Sequence, residues 1–177
     1  MYQPKQGHVI NTGEPTLLIT MGGKTFQLDD WWAYTDHLNR HWVVPTGFVY
    51  DLASIPSWLW WLQWGPWNNG AVLHDFAYNF GHAFVVKNNQ LVKQNLSKKE
   101  ADDLFADITY TTAIENELKN APLWRIGLMH LAVSWFGRGF WSKSADKKAQ
   151  QTYGKPLSSV AADYAASTKE APIQVAA

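Results

Sequence analysis

The chain has no cysteine in its 177 residues. Secreted modules held together by disulfides and zinc sites built on thiolates are therefore excluded. The sequence also lacks any apolar run of about 18 residues, so we predict that it has no membrane span. Residues 1–15 contain no apolar stretch of the kind found in signal peptides, and we predict that there is no signal peptide.

Neither sign of charge is in excess, because Lys+Arg and Asp+Glu both number 15. Non-specific nucleic-acid binding depends on a basic surface that meets phosphates, so we predict no nucleic-acid partner. Apolar residues are abundant at 46%, and this is enough for one core of ordinary size. We expect a single α+β domain over residues 1–141. Residues 142–177 have few large apolar side chains, and we expect an extended tail that packs on a partner.

Short strand-like stretches dominate the first 50 residues. After an extended lead-in over residues 1–15, alternating patterns and turn residues predict a small antiparallel β-meander. Its four main strands are expected at Thr16–Thr20, Lys24–Leu28, Trp31–Thr35 and Arg40–Val44.

Helical patterns begin after Pro56. We predict helices over Ser57–Gln63 and Gly70–Phe80, with a β-hairpin following the second. Ser97-Lys98-Lys99-Glu100 is a capping box that starts another helix, and a further helix follows Ala121-Pro122. The predicted fold class is therefore α+β, with the meander packed on three to four helices.

The helix over Gly70–Phe80 carries the first candidate site. At about 100° per residue, His74, Asp75 and Tyr78 lie together, opposite the apolar side. The imidazole can exchange a proton near neutral pH or bind a metal, and the neighbouring carboxylate can orient it or act as an oxygen ligand. The alternative is a polar helix face satisfied by local hydrogen bonds.

Two further aspartates could complete a site. Asp51 ends an apolar strand, where an unpaired buried carboxylate would be costly, although a turn or N-cap role is the alternative. Asp102 lies at the edge of the core face of its helix, where it could instead be an acid that favours the helix N-terminus. Asp103 and Asp107 are expected on the solvent side.

Tryptophan is concentrated between residues 58 and 67. Trp60 and Trp64 are our candidates for partner contact, because aromatic side chains are frequent anchors of binding surfaces. The alternative is that Trp58, Trp61 and Trp64 share one helix face that belongs to the core.

Four blocks of sequence are together more specific than any single residue pair: VVPTGFVYDLASIP, AVLHDFAY, KKEADDLF and LMHLAVSWFGRGFW. Their order and spacing resemble a bacteriophage and prophage family, the domain of unknown function numbered thirteen fifty-three, over about residues 42–141. The residue before the family's aspartate is often Thr, whereas this chain has Tyr50. The positions that match the family pattern are Asp51, Ser54, Pro56, His74, Asp75, Tyr78 and Asp102.

The resemblance implies a phage-encoded protein of a kind often found with tail and lysis modules. We therefore expect a virion-associated tail, baseplate or connector protein that contacts other phage structural proteins. It would be located in the particle, or in the host cytoplasm during assembly.

The alternative is a metal-dependent hydrolase that acts on cell-wall peptide or lipid of the host envelope. His74 would be the base or a metal ligand, with Asp51, Asp75 and Asp102 completing a site for calcium, magnesium, manganese or zinc. Ser54 and Tyr78 would support it. His-Asp-x-x-Tyr is also similar to the catalytic helix of secreted phospholipases A2, although this chain has no Cys-flanked calcium loop. Both hypotheses lead to one question, which is whether the acids and His74 meet in the fold.

Overall fold

A computed structural model describes residues 2–11, 16–20, 23–51, 68–87, 90–115, 123–144, 162 and 174–175. None of the helices in these ranges is both long and apolar enough to cross a membrane. The helices are α1 (Asn68–Phe80), α2 (Lys98–Glu115), α3 (Leu123–Phe136) and α4 (Arg138–Ser144). The strands are β1 (His8–Asn11), β2 (Thr16–Thr20), β3 (Gly23–Gln27), β4 (Trp32–Thr35), β5 (His41–Val44), β6 (Val49–Asp51), β7 (His82–Lys87), β8 (Gln90–Asn95) and β9 (Gln174–Val175).

The α+β fold class predicted from the sequence is confirmed. Five antiparallel strands form the larger sheet in the order β1-β4-β5-β7-β8, and β9 pairs in parallel with the outer side of β8. A smaller antiparallel sheet has the order β2-β3-β6. The helices pack with these sheets around a core dominated by aromatic and aliphatic side chains.

The strands of the first 51 residues do not form one simple meander. β1 pairs with β4 in the larger sheet, whereas β2 and β3 pair with each other in the smaller sheet. β1 also lies inside the stretch that was expected to be an extended lead-in. Its sequence, His-Val-Ile-Asn, does not alternate between apolar and polar residues, so its pairing depends on the tertiary fold.

Local signals did predict the elements around the site. The hairpin of β7 and β8 pairs His82 with Asn95 at its open end. The capping box forms before α2, where the main-chain N–H of Ser97 donates to Glu100 Oε2 at 2.7 Å and the N–H of Glu100 donates to Ser97 Oγ at 3.3 Å. These bonds satisfy donors that the first turn of a helix leaves open.

α1 is the central helix of the fold. It packs along α2 and also contacts β5, β6, β7 and α4, so none of its described side chains is exposed. Gly70 permits the close approach to α2, because a Cβ there would overlap the hydroxyl of Thr109. Gly81 ends the helix with a φ of 70°, a conformation that glycine adopts readily. The polar side of α1 is therefore buried against a second helix, rather than merely opposite the apolar side.

Candidate functional site

The site consists of side chains from two facing helices. His74 and Tyr78 are one turn apart on α1, and Lys98 and Asp102 are one turn apart on α2. Residues four apart on a helix point in the same direction, so each helix presents a pair of polar groups to the other. Because α1 and α2 pack closely, the two pairs meet in the interior.

Asp102 is the centre of this network. His74 Nε2 lies 3.1 Å from Asp102 Oδ1, and the Tyr78 hydroxyl donates to the same oxygen at 2.7 Å. Lys98 Nζ donates to Asp102 Oδ2 at 2.6 Å. His74 and Asp102 are each only 2% exposed, so these bonds replace water almost completely.

His74 also faces a second carboxylate, since its Nδ1 lies 3.5 Å from Asp75 Oδ1. Burial alone would lower the pKa of His74, but the hydrogen bonds and negative charges of Asp102 and Asp75 raise it above its ordinary value. The two carboxylates therefore favour the protonated imidazole, in which one N–H is directed at each of them. An imidazolium has no lone pair for a metal or a proton, so His74 could act as a base or a ligand only in its neutral form.

The charges of the network balance. Burial alone would raise the pKa of Asp102, but hydrogen bonds from His74, Lys98 and Tyr78 bring it below its ordinary value. Burial and the bond to Asp102 raise the pKa of Tyr78, so its phenol stays protonated. When His74 is protonated, the carboxylates of Asp102 and Asp75 are matched by one imidazolium and one ammonium group. Such pairing is what makes buried charges tolerable.

Lys98 extends the network to a third helix. Its Nζ donates to the main-chain carbonyls of Val133 at 3.0 Å and Ser134 at 3.1 Å, in the last turn of α3. Carbonyls at the end of a helix lack partners within the helix, and a cation is favoured there by the helix dipole. One lysine thus ties α2 to both α1 and α3.

Asp51 approaches this region through its main chain. It ends β6, where it pairs with Thr25, and β6 packs against α1. Burial raises the pKa of the adjacent Tyr50, and the negative charge of Asp75 raises it further, so the end of β6 lies beside the network. The side chain of Asp51 lies outside what the structure describes, and its meeting with His74 stays a prediction.

Of the predicted site residues, the structure brings four together: His74, Asp75, Tyr78 and Asp102. Ser54, Trp60 and Trp64 lie outside the described residues, as do the predicted helix over Ser57–Gln63 and nearly all of the tail after Ser144. Among the side chains that the structure describes, no group of three or more His, Asp or Glu has a metal-binding arrangement. The side chain of Asp51 is outside that set, and the divalent metal stays a prediction.

Two polar residues have roles that the sequence reasoning did not predict. Lys98 was assigned only to the capping box, although its spacing of four from Asp102 could have indicated an ion pair. Asp107 was expected in solvent, but it is 3% exposed and accepts hydrogen bonds from the Tyr2 hydroxyl and the Lys5 N–H. No local signal reveals this, because its partners are more than 100 residues earlier in the chain.

Comparison with known proteins identifies a family. No curated protein and no solved structure matches this chain. A family model matches residues 26–133, which are more than half of the chain and include the whole buried network. The match agrees with the resemblance carried by the four sequence blocks, and the chain belongs to the family described as "Protein of unknown function (DUF1353)".

Proposed function

We propose that the protein is a virion-associated component of a bacteriophage, in the tail, baseplate or connector, and that it acts through protein–protein contacts. The observation that carries this proposal is an apolar surface on α3 and α4, which we call the aromatic face. Its members are Leu123 (57% exposed), Trp124 (53%), Leu128 (38%), Trp135 (74%), Phe136 (44%) and Phe140 (58%).

The aromatic face is unusual because α3 is apolar on both sides. Ile126, Met129 and Val133 are buried against the rest of the fold. Trp124 and Leu128 are four residues apart on another side of the helix and are exposed to solvent. Several large apolar side chains exposed on two consecutive helices are typical of an interaction site, and tryptophan is enriched among the residues that dominate binding energy.

The buried network supports a binding role rather than turnover. His74 lies between two carboxylates that favour its protonated form, and a protonated imidazole cannot act as a general base. Lys98 joins α2 to the end of α3, and this bond helps to hold the helix that carries the aromatic face. The phage setting comes from the family resemblance and is part of the proposal.

The proposal is tested with particles purified from a strain that carries the gene. Mass spectrometry of the purified particles should detect the protein at a constant copy number per particle. The double variant Leu128→Ser with Trp135→Ser should enter particles at least tenfold less, although it folds. Leu38→Ser is the matched control, because Leu38 is 61% exposed in the turn between β4 and β5, away from the aromatic face.

Absence of the wild-type protein from purified particles would contradict the virion role. Normal entry of the double variant would instead show that the aromatic face is not the contact surface. Thermal unfolding of each variant before the particle experiment ensures that a loss of entry is not a loss of folding.

A metal-dependent hydrolase of the host envelope is the second candidate. It is favoured by the convergence of β6, α1 and α2. The negative charge of Asp75 on α1 raises the pKa of Tyr50 on β6, and His74 on α1 contacts Asp102 on α2. His74 would first have to lose a proton before it could act as a base or ligand.

The purified chain should then release muropeptides or fatty acids from envelope fractions when calcium, magnesium, manganese or zinc is added. Activity should be lost in His74→Ala and kept in His130→Ala, whose imidazole pairs with Asp103 outside the network. Equal turnover by His74→Ala and the wild type would eliminate this mechanism.

A further inference from the structure

Residues 2–11, which we call the N-terminal arm, run along α2. Three alternate main-chain N–H groups of the arm donate to side chains on α2 that are spaced four residues apart. The bonds are Lys5 N to Asp107 Oδ1 (2.7 Å), Gly7 N to Thr111 Oγ1 (2.8 Å) and Val9 N to Glu115 Oε1 (3.3 Å). We call the three acceptors on α2 the track.

The arm and the track match in their spacing. Alternate residues of an extended chain repeat about every 6.6 Å. Residues four apart on an α-helix repeat about every 6 Å. Each step of two residues along the arm therefore meets the next acceptor on α2, and the bonds are made by main-chain donors, as in recognition of an extended peptide.

Side chains make the track specific for this arm. The ring of Tyr2 stacks on His130 with centroids 4.8 Å apart, and its hydroxyl donates to Asp107 at 2.9 Å. Gly7 passes so close to β4 that a Cβ there would overlap the Thr35 carbonyl. An extended segment that fits this track therefore needs an aromatic residue followed five positions later by glycine.

The arm is attached much as a bound peptide would be. Gln3, Lys5, Gln6 and His8 are exposed, so most of the arm lies on the surface of α2, and Val9 packs in the core. Its strand β1 pairs with β4 at one edge of the larger sheet, whereas the next strand in the chain, β2, belongs to the smaller sheet. Four residues, 12–15, separate β1 from β2 in the sequence.

We propose that the arm is an exchangeable connector, and that the track of one copy takes the arm of a second copy of this chain. Every bond broken within one chain is remade with the identical arm of its partner, so exchange costs little beyond the loss of independent motion. The track requires a segment with residues like Tyr2 and Gly7 at the same spacing, and a second copy of this chain supplies such a segment. This inference concerns α2 and β4, and it does not depend on the proposed virion role or on the aromatic face.

Cysteine cross-linking tests the exchange without background, because the natural chain has no cysteine. Lys5 Nζ lies 3.2 Å from His37 Nε2 and both side chains are exposed, so Lys5→Cys and His37→Cys place one thiol on the arm and one beside it. The two single variants are unfolded together, refolded at high protein concentration and treated with a short bis-maleimide. The double variant, treated at low concentration, shows whether the two thiols are in reach within one chain.

Exchange predicts a covalent dimer in the mixture at least tenfold above the level in either single variant alone. Adding Thr111→Val to the His37→Cys chain removes the acceptor of Gly7 from the separate chain and from the exchanged dimer alike, so the dimer yield should not change. Adding Tyr110→Phe, also on α2, to the His37→Cys chain should leave the dimer yield unchanged.

A mixture that gives no more dimer than the single variants, while the double variant cross-links internally, would show that the arm stays with its own chain and would overturn the proposal. Failure of the internal cross-link would overturn it as well, because the arm would not occupy the track. Neither result bears on whether the protein is found in particles, so the two proposals fail separately.

Discussion

Lys98 Nζ donates to Asp102 Oδ2 at 2.6 Å, and Lys98 lies one turn before Asp102 on α2. The carboxylate that meets His74 is therefore neutralised from its own helix as well as from α1. This pairing makes the buried imidazolium compatible with the core, because Asp102 would otherwise have to be stabilised by His74 and Tyr78 alone. It also explains why the network spans three helices, since Lys98 reaches the last turn of α3.

Asp102→Asn should strongly destabilise the fold. The substitution removes the negative charge that pairs with His74 and Lys98, and loss of one partner of a buried ion pair costs about 3–5 kcal/mol. Urea denaturation should show a lower midpoint with an unchanged slope. Asp103→Asn is the control: the Asp103 side chain is 19% exposed against 3% for Asp102, and its partner Lys99 is 82% exposed, so the cost should stay below about 1 kcal/mol. Equal losses in the two variants would contradict the central place of Asp102.

His74 should make stability depend on pH above neutrality. Because its folded pKa is raised above the ordinary 6.5, its stabilisation is fully present below pH 6.5 and is lost as pH rises through the folded pKa. The measurement is the free energy of unfolding of the wild type minus that of His74→Gln. This difference should shrink as pH rises above 6.5, and a constant or growing difference would show that His74 is not an imidazolium in the fold.

His82 should make stability depend on pH in the direction opposite to that of His74. Burial and the positive charge of Lys93 lower the pKa of His82 to about 4, although the Phe80 carbonyl opposes the shift. The neutral imidazole is favoured in the fold, so its stabilisation is present above pH 6.5 and is lost as pH falls towards 4. The free energy of unfolding of the wild type minus that of His82→Gln should therefore decrease over this range. Urea unfolding at several pH values measures this difference. An increase as pH falls from 6.5 towards 4 would show that the pKa of His82 is not lowered in the fold.

Gly137→Ala and Gly139→Ala should differ sharply although they are two residues apart. A Cβ at Gly137 would overlap the Tyr78 hydroxyl and the Val133 carbonyl, and crowding of this kind typically costs about 1–3 kcal/mol. A Cβ at Gly139 meets no atom within 4 Å, and alanine in α4 should be neutral or stabilising by up to about 1 kcal/mol. Calorimetric melting temperatures compare the two. Similar values would mean that Gly137 does not lie against Tyr78 and Val133 as described.

Several elements could be predicted because their signals are local. The capping box at Ser97 and Glu100 lies within four residues and forms as expected. The helix around His74 and the hairpin after Gly81 follow from periodicity and glycine placement in the same way. The four sequence blocks also led to the correct family, because their order and spacing over about one hundred residues are specific.

The course of the first strands could not be predicted in the same way. β1 has only four residues, and its partner β4 begins more than twenty positions later. The burial of Asp107 has the same origin, because its hydrogen bonds come from Tyr2 and Lys5 at the other end of the chain. Such contacts depend on how the elements pack rather than on the pattern of their neighbours in sequence.

The sequence by itself indicated α1, α2 and α3, and it placed His74 and Tyr78 on one side of α1, because helical geometry depends only on spacing. Tertiary packing alone decided that this side faces Asp102, 28 residues away, and that Lys98 completes the network. The physical reason is that α1 is covered on every side, so its polar groups had to find charged partners instead of water. That packing placed a candidate reactive histidine between two carboxylates that favour its protonated form.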